Sequence, residues 1–138
     1  MDPREQALVL ARARCAAGVV LLGVPGLAGR AWLGSSGPAT RAALRLTGIR
    51  DLVLGTGALT TTKERTLDAE WVGMGAVCDA VDAVVTFLSP GLPRRTKLAA
   101  IVPGVAAVMG LQLARSLARE RAASEVDGGE LGEPAPGA

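Results

Sequence analysis

The sequence predicts an all-α protein, a four-helix up-down transmembrane bundle with a disordered, acidic C-terminal tail. Of the 138 residues, 49% are hydrophobic, and the mean hydropathy is +0.34. The chain has one Phe, two Trp and no Tyr, although soluble cores depend on aromatic residues for much of their buried area. Its apolar residues are mostly Ala, Gly, Val and Leu, a composition that lets membrane helices approach closely.

Four segments are apolar and long enough to cross a bilayer as helices, which takes about 17–25 residues each. The predicted spans cover residues 6–29, 39–62, 69–89 and 97–118. The connections between them are short and contain Gly, Pro or charged residues, so consecutive helices are expected to run antiparallel. Residues 1–119 therefore form one transmembrane domain. Residues 120–138 are acidic and rich in Gly and Pro, which predicts a disordered tail.

The first and second spans each leave an alternative open. Pro25 interrupts the first span, and Asp2 and Glu5 dilute its basic start, which disfavours a cleaved signal peptide. The second span contains Arg50 and Asp51 among several charged residues, so a soluble helical bundle is the main alternative fold. The other three spans are poor in charged residues, and this favours the membrane protein.

Composition excludes or disfavours several classes of function. The absence of histidine excludes a Ser-His-Asp triad and His-ligated metals. A net charge of +2 with scattered basic residues does not indicate a nucleic-acid surface. Cys15 and Cys78 lie far apart in apolar runs and are predicted to be free thiols. No cofactor or metal is predicted, because nothing adds further ligands to the pair Asp79 and Asp82.

Those two aspartates lie in the middle of the third span, where a helix in lipid is normally apolar. Residues three and four apart share a helix face, and here that face is small or polar apart from Val72. It comprises Val72, Gly75, Asp79, Asp82, Thr86 and Ser89. The opposite face is apolar. Because charged groups in membranes face the bundle interior, both carboxylates are predicted to point inward.

Small residues also follow one face of the second and fourth spans. In the second span the face comprises Gly48, Asp51, Gly55, Ala58 and Thr62. In the fourth span the face comprises Ala106, Gly110 and Ala114. Such faces predict close helix–helix packing.

The candidate catalytic or binding residues are Arg50, Asp51, Asp79 and Asp82. At a rise of 1.5 Å per residue, all four lie about 15–20 Å from the bundle end that holds the 62–69 connection. Arg14 lies about 12 Å from that end, and its long side chain reaches deeper. We expect Arg50 to be the main carboxylate partner, because guanidinium binds carboxylate through two parallel hydrogen bonds. Asp79, which we expect beside Arg50, is the preferred functional carboxylate.

The segment "GIRDLVLGTGAL", followed by a Trp and then "DAVDAVV", resembles a family of small four-helix bacterial membrane proteins from high-GC genomes, assigned to a domain of unknown function. Those proteins show G-x-R-[DE]-L-x-L-G on the second helix and aspartates on the third. Gly48, Arg50 and Asp51 match the first motif with Leu52, Leu54 and Gly55, and Asp79 and Asp82 match the second. The resemblance covers roughly residues 40–110. It implies a membrane fold with a polar cluster, and no established activity.

Two classes of function remain open, of which an accessory or structural membrane component is preferred and a membrane-embedded enzyme or carrier is the alternative. An accessory or structural membrane component would use the Arg and Asp residues only to fix helix register. A membrane-embedded enzyme or carrier would act at those residues on a lipophilic small molecule. A sealed cluster of charges would favour the first class, and an open cavity would favour the second.

The expected location is the cell membrane, with several passes and both termini on one side. Without Arg14 and Arg50, that side carries seven Lys and Arg residues and the other carries six, so charge hardly decides orientation. The acidic tail needs no translocation if the termini are cytoplasmic, which is therefore the preferred orientation. Expected partners are the lipid bilayer and either a membrane protein or a second copy of the chain, and no nucleic acid.

Overall fold

Helices make up almost all of the backbone in the computed structural model, which describes residues 2–64 and 68–130. No strand occurs in these two ranges. The all-α prediction is therefore confirmed for the described residues. The helices are α1 (Pro3–Gly23), α2 (Pro25–Trp32), α3 (Pro38–Glu64), α4 (Asp68–Leu88), α5 (Arg94–Ala99) and α6 (Ile101–Glu130).

The second and third predicted spans correspond closely to α3 and α4, whereas the first and fourth are each broken. The first span breaks at Val24, between α1 and α2, because Pro25 has no backbone N–H and its ring clashes with a helical carbonyl four residues earlier. The fourth span breaks at Ala100, three residues before Pro103, for the same reason. Proline thus accounts for both breaks.

The prediction of a disordered tail that begins at residue 120 is corrected by α6, which continues as helix through Glu130. The extension starts with strong helix formers, and Arg121 pairs with Glu70 and Asp68 of α4. These contacts hold its first turn against the bundle. Residues 131–138 lie outside the described residues.

Helices α1 and α3 pack against each other in antiparallel orientation along a line of glycines. A Cβ atom added to Gly18 would lie 2.7 Å from the carbonyl oxygen of Gly48, and one added to Gly48 would lie 2.8 Å from the carbonyl oxygen of Gly18. A Cβ on Gly55 would lie 2.9 Å from the carbonyl oxygen of Ala11. The two backbones are therefore in direct contact, as in membrane helix pairs built on small residues.

Helices α4 and α6 form a second close antiparallel pair. A Cβ on Gly110 would lie 3.0 Å from the Cβ of Ala76, and one on Gly73 would lie 3.7 Å from the Cβ of Ala114. Gly110 and Ala114 belong to the small-residue face predicted for the fourth span, and both are buried. Contacts within each pair are more extensive than contacts between the pairs.

The predicted orientation of α4 is confirmed. Val72, Gly75 and Asp79 are buried, and the rest of the predicted inward face is half-buried. The opposite face is exposed at Met74, Val77, Val81, Val85 and Leu88. On α3 the predicted face is buried along its whole length, at Gly48, Asp51, Gly55, Ala58 and Thr62.

At the end of the molecule that holds the start of α1, a network of ion pairs joins three helices. Asp68, at the start of α4, is buried and accepts hydrogen bonds from Arg4 of α1 at 3.3 Å and from Arg121 of α6 at 3.0 Å. Arg4 also lies 3.6 Å from Glu120 of α6. This network fixes the ends of α1, α4 and α6 relative to one another.

Within residues 2–64 and 68–130, three helical stretches are long and apolar enough to cross a membrane: Pro3–Gly23, Asp68–Leu88 and Arg94–Val126, with mean hydropathies of 1.4, 1.6 and 1.6. In the apolar part of each, only 22% of the residues are buried inside the protein, so most apolar side chains face outward. This indicates a membrane protein. Helix α3 is not among them, because charged residues such as Arg45, Arg50 and Asp51 interrupt it.

The first testable consequence concerns membrane association. The full-length chain should stay in the membrane fraction after a carbonate wash at high pH. Its outward apolar faces are not covered by other helices of the protein, so lipid must cover them. Fractionation followed by immunoblotting measures this, with a peripheral membrane protein as the washed-off control. Release into the soluble fraction would contradict membrane-spanning helices and would support the alternative fold, a soluble helical bundle.

The glycine contact between α1 and α3 gives a second prediction. Gly48→Ala should lower the free energy of unfolding by about 1–3 kcal/mol, because the added methyl group forces two backbones apart. Gly23→Ala is the matched control, since an added Cβ there meets nothing within 4 Å. Thermal or denaturant unfolding in detergent measures both. Equal stability of the two variants would mean that α1 and α3 do not pack through Gly48.

Candidate functional site

Five charged side chains from three helices meet in the middle of the bundle. Arg14 comes from α1, Arg50 and Asp51 from α3, and Asp79 and Asp82 from α4. We call these five residues the Arg/Asp cluster. All four residues proposed from the sequence are therefore brought together, and Arg14 joins them.

The Arg/Asp cluster is a chain of contacts in which the sign of charge alternates. Arg14 donates one hydrogen bond to Asp79 and a second, at 3.4 Å, to Asp51. Asp51 also accepts a hydrogen bond from Arg50 at 3.1 Å. Arg50 binds Asp82 through both terminal nitrogens, at 2.9 and 2.7 Å. Each carboxylate thus has at least one guanidinium partner, and Asp51 links the two arginines.

The pairing of Asp79 differs from the sequence-based expectation. Arg50 was expected beside Asp79, but it binds Asp82 and Asp51, and the partner of Asp79 is Arg14. The reason lies one turn before Asp79, at Gly75. A Cβ at that position would lie 3.1 Å from a terminal nitrogen of Arg14, so glycine makes the room through which this guanidinium reaches Asp79.

Arg14 was predicted to reach toward the other charges but was not among the four candidate site residues. It is an arginine in the middle of an otherwise apolar segment, and such a residue needs a partner. Its partner could not be chosen from the sequence, because depth alone places Arg14 and Arg50 within reach of the same carboxylates.

Exposure divides the Arg/Asp cluster into an inner and an outer part. The side chains of Arg14, Asp79 and Asp51 are 9%, 11% and 12% exposed. Those of Arg50 and Asp82 are 31% and 34% exposed. The inner three form a buried ion-pair network, and the outer two offer charged groups to a molecule that approaches from outside.

The outer part opens into a cavity of about 500 Å³, which we call the central cavity. Its walls come from both helix pairs and are largely apolar, and all five members of the Arg/Asp cluster are among the lining residues. The remaining lining residues are Leu10, Ala13, Ala17, Val20, Leu21, Trp32, Thr47, Ala99, Val102, Pro103 and Ala106. Val20 and Val102 are themselves exposed, so part of the rim is apolar.

Two hydrogen-bond donors on residues that line this cavity are buried and have no partner among the described residues. They are the indole Nε1 of Trp32 and the Nε of Arg50. An unpaired buried donor costs on the order of 1–3 kcal/mol, so such groups usually indicate an absent acceptor. Thr47, the other uncharged polar residue of the lining, is satisfied by the carbonyl oxygen of Ala43.

The position of Trp32 is fixed by its backbone. Its carbonyl oxygen accepts a 2.6 Å hydrogen bond from the hydroxyl of Thr96, which is completely buried at the start of α5. This bond joins the end of α2 to α5, so the indole ring is held at the cavity by groups other than its own N–H. A change of the ring therefore leaves this attachment intact.

A second cavity, of about 570 Å³, lies between α4 and α5 and has different chemistry. Its walls contain Arg94 and Lys97, with no carboxylate and no unpaired buried donor among them. The described residues hold no group of three or more His, Cys, Asp or Glu side chains that could ligate a metal ion. Cys15 and Cys78 are free thiols. Of these two cavities, the central cavity is therefore the one lined by carboxylates and by residues with unpaired buried donors.

No family model matches the chain, and no curated protein or solved structure matches it.

The pairing within the Arg/Asp cluster gives a third prediction. Arg14→Leu should lower the free energy of unfolding by about 3–5 kcal/mol, because it leaves Asp79 buried without its partner. Arg12→Leu, on an exposed position of the same helix, should have little effect. Adding Asp79→Asn to Arg14→Leu should recover part of the loss, because it removes the stranded charge.

This double-mutant cycle is measured by unfolding in detergent, and a coupling of about 0.5–3 kcal/mol is expected between Arg14 and Asp79. The same cycle between Arg50 and Asp79 should give a smaller value, since those two residues are not in contact. The opposite order would show that the two arginines exchange partners.

Proposed function

We propose that this chain is a multi-pass membrane protein that binds a lipophilic small molecule in the central cavity, as a carrier or as an enzyme. The observation that carries the proposal is the meeting of apolar walls and a partly exposed Arg50–Asp82 pair in one cavity of about 500 Å³. Small-molecule sites typically combine a mostly apolar pocket of this size with a few convergent polar groups.

Openness of the charged cluster is what separates the two classes of function. A cluster that only fixes helix register gains nothing from exposure, because solvent weakens its ion pairs. Here the inner three residues suffice to join α1, α3 and α4, yet Arg50 and Asp82 remain about one-third exposed at the cavity. This favours a binding role for the outer pair.

In the proposed membrane arrangement, α3 crosses the bilayer together with the three apolar stretches. Its Arg50 and Asp51 are compensated inside the bundle, so they do not face lipid. Arg41 and Arg45 lie near the start of α3, where they can extend to the headgroup region. Both termini then lie on one side, which we assign to the cytoplasm.

The proposed route into the central cavity lies between α1 and α6, two lining helices that belong to different close pairs. Val20 of α1 and Val102 of α6 are exposed at its rim, which suits contact with acyl chains. A lipophilic molecule could pass from the bilayer to the Arg/Asp cluster without crossing water. Asp82 is the carboxylate it would meet first, so we assign the direct contact to Asp82 and Arg50.

An accessory role remains a second candidate, supported by a different observation. The outer face of α6 is apolar and exposed at Val105, Val108 and Met109. A membrane-protein partner or a second copy of this chain could cover that face in place of lipid. In that case the central cavity would have no occupant of its own, and blocking it would change nothing.

Cavity blocking provides the fourth prediction. In the full chain reconstituted in nanodiscs, a suitable lipophile should raise the midpoint of thermal unfolding, because it binds only the folded state. The probe set is dodecane, dodecylamine, lauric acid, monolaurin and decylubiquinone. Ala17→Phe fills the central cavity and should abolish the increase seen with any probe that binds there.

Ala16→Phe is the matched control, since Ala16 is exposed on the same helix and does not line the cavity. It should leave the increase unchanged. An equal response of both variants, or no response of the parent chain to any probe, would contradict the binding function and leave the accessory role.

A further inference from the structure

We infer that the ligand of the central cavity is an uncharged lipophile whose head carries hydrogen-bond-accepting oxygens, such as the carbonyl groups of a quinone or the ester and hydroxyl groups of a glyceride. The inference rests on the proposed function, and it names the chemistry of the molecule bound. It is carried by the donors left without partners and by the charge of the cluster beside them.

Among the buried polar groups of the cavity-lining residues, those that lack a hydrogen-bond partner are donors and not acceptors. All three carboxylates of the Arg/Asp cluster already accept hydrogen bonds from guanidinium groups. The buried groups without a partner at the cavity are both donors, Trp32 Nε1 and Arg50 Nε. A ligand complements these two only by supplying acceptor atoms. Oxygen and nitrogen lone pairs are the acceptors that such donors bind.

A further constraint on the ligand is charge. Counted with every side chain ionised, Arg14 and Arg50 supply two positive charges and Asp51, Asp79 and Asp82 supply three negative charges, so the formal net charge of the Arg/Asp cluster is −1. An anionic head would be repelled by this excess at the low dielectric of the cavity. A fatty acid or a phosphate ester is therefore disfavoured.

A cationic head is disfavoured for a different reason. It would be attracted by the excess charge, but it would bring donors to a place where donors already lack partners. To bind a carboxylate directly, it would have to compete with the two hydrogen bonds between Arg50 and Asp82, at 2.9 and 2.7 Å. An uncharged acceptor avoids both penalties, because it can bind Arg50 Nε and Trp32 Nε1 while every ion pair stays in place.

The lining away from the Arg/Asp cluster indicates the shape and polarity of the rest of the ligand. The rest of the lining is almost wholly apolar, and Ala13, Ala17 and Ala106 leave room between α1 and α6. The ligand therefore has an apolar tail or ring system larger than its polar head. The indole of Trp32 adds a flat aromatic surface on which a ring can stack.

The experiment compares the five probes at equal mole fraction in nanodiscs that hold the full chain. Decylubiquinone and monolaurin, whose heads are uncharged and carry acceptor oxygens, should raise the unfolding midpoint. Dodecane, dodecylamine and lauric acid should have smaller effects. A larger effect of decylubiquinone identifies ring carbonyls as the preferred acceptors, and a larger effect of monolaurin identifies an ester or hydroxyl head.

The donor itself is tested by Trp32→Phe, which keeps an aromatic ring and removes the N–H. Affinity for the preferred probe should fall roughly two- to tenfold, as expected for the loss of one hydrogen bond. Trp71→Phe is the matched control, because Trp71 packs against Gly57 and does not line the central cavity. Its affinity should stay at the parent value.

A second measurement covers the case in which Trp32→Phe fails to fold. In Trp71→Phe the remaining indole is Trp32, and its fluorescence should be quenched saturably by decylubiquinone or shifted by monolaurin. Adding Ala17→Phe should abolish that response.

The outcomes separate the two proposals. A preference for dodecylamine or lauric acid that Ala17→Phe abolishes would overturn the uncharged ligand and keep the binding function. Equal affinity of Trp32→Phe and the parent chain would also overturn the inference. No response to any probe would overturn the binding function itself.

Discussion

Five charges in an apolar bundle are tolerable only because their signs alternate along one chain of contacts. Asp79, Arg14, Asp51, Arg50 and Asp82 follow one another across α1, α3 and α4, and each is bonded to its neighbour. Removal of Arg14 would strand the buried charge of Asp79, at a cost that exceeds most single apolar contacts. The relative heights of the three helices are therefore tied to this chain, because a shift of one helical turn, about 5.4 Å, would break it.

The same bundle depends on small residues to bring its backbones together, and their distribution explains why a cavity exists. Gly18 and Gly48 place α1 directly on α3, and Gly110 with Ala76 places α4 close to α6. Contacts between the two pairs are less extensive. The apolar lining of the central cavity comes largely from α1 and α6, and the Arg/Asp cluster supplies its charged lining. The small residues that bring the helices of each pair together therefore leave open space between the two pairs.

Helical periodicity was enough to predict the buried faces of α3 and α4 and the meeting of Arg50, Asp51, Asp79 and Asp82. These features depend on spacing along single helices, which a sequence displays directly. The partner of Asp79 depends on Gly75, whose missing side chain admits Arg14 from another helix. The break at Ala100 and the helical residues 120–130 depend on a local proline and on contacts of Arg121 with α4. Trp32 also lines the cavity, but it belongs to no helical spacing pattern from which that position could be predicted.

Arg50 is the residue at which the structural and the proposed binding roles separate. Its two terminal nitrogens are engaged by Asp51 and Asp82, so they belong to the chain that holds α3 against α4. Its Nε is buried without a partner among the described residues, on a side chain that lines the cavity. A lysine could replace the charge of Arg50. It could not divide its donors between ion pairs and a ligand in the same way, because all three N–H donors of an ammonium lie on one rotating nitrogen. A ligand acceptor that binds at Nε would leave every helix-joining ion pair intact. Binding and release could then occur without loosening the contacts that keep the charges buried.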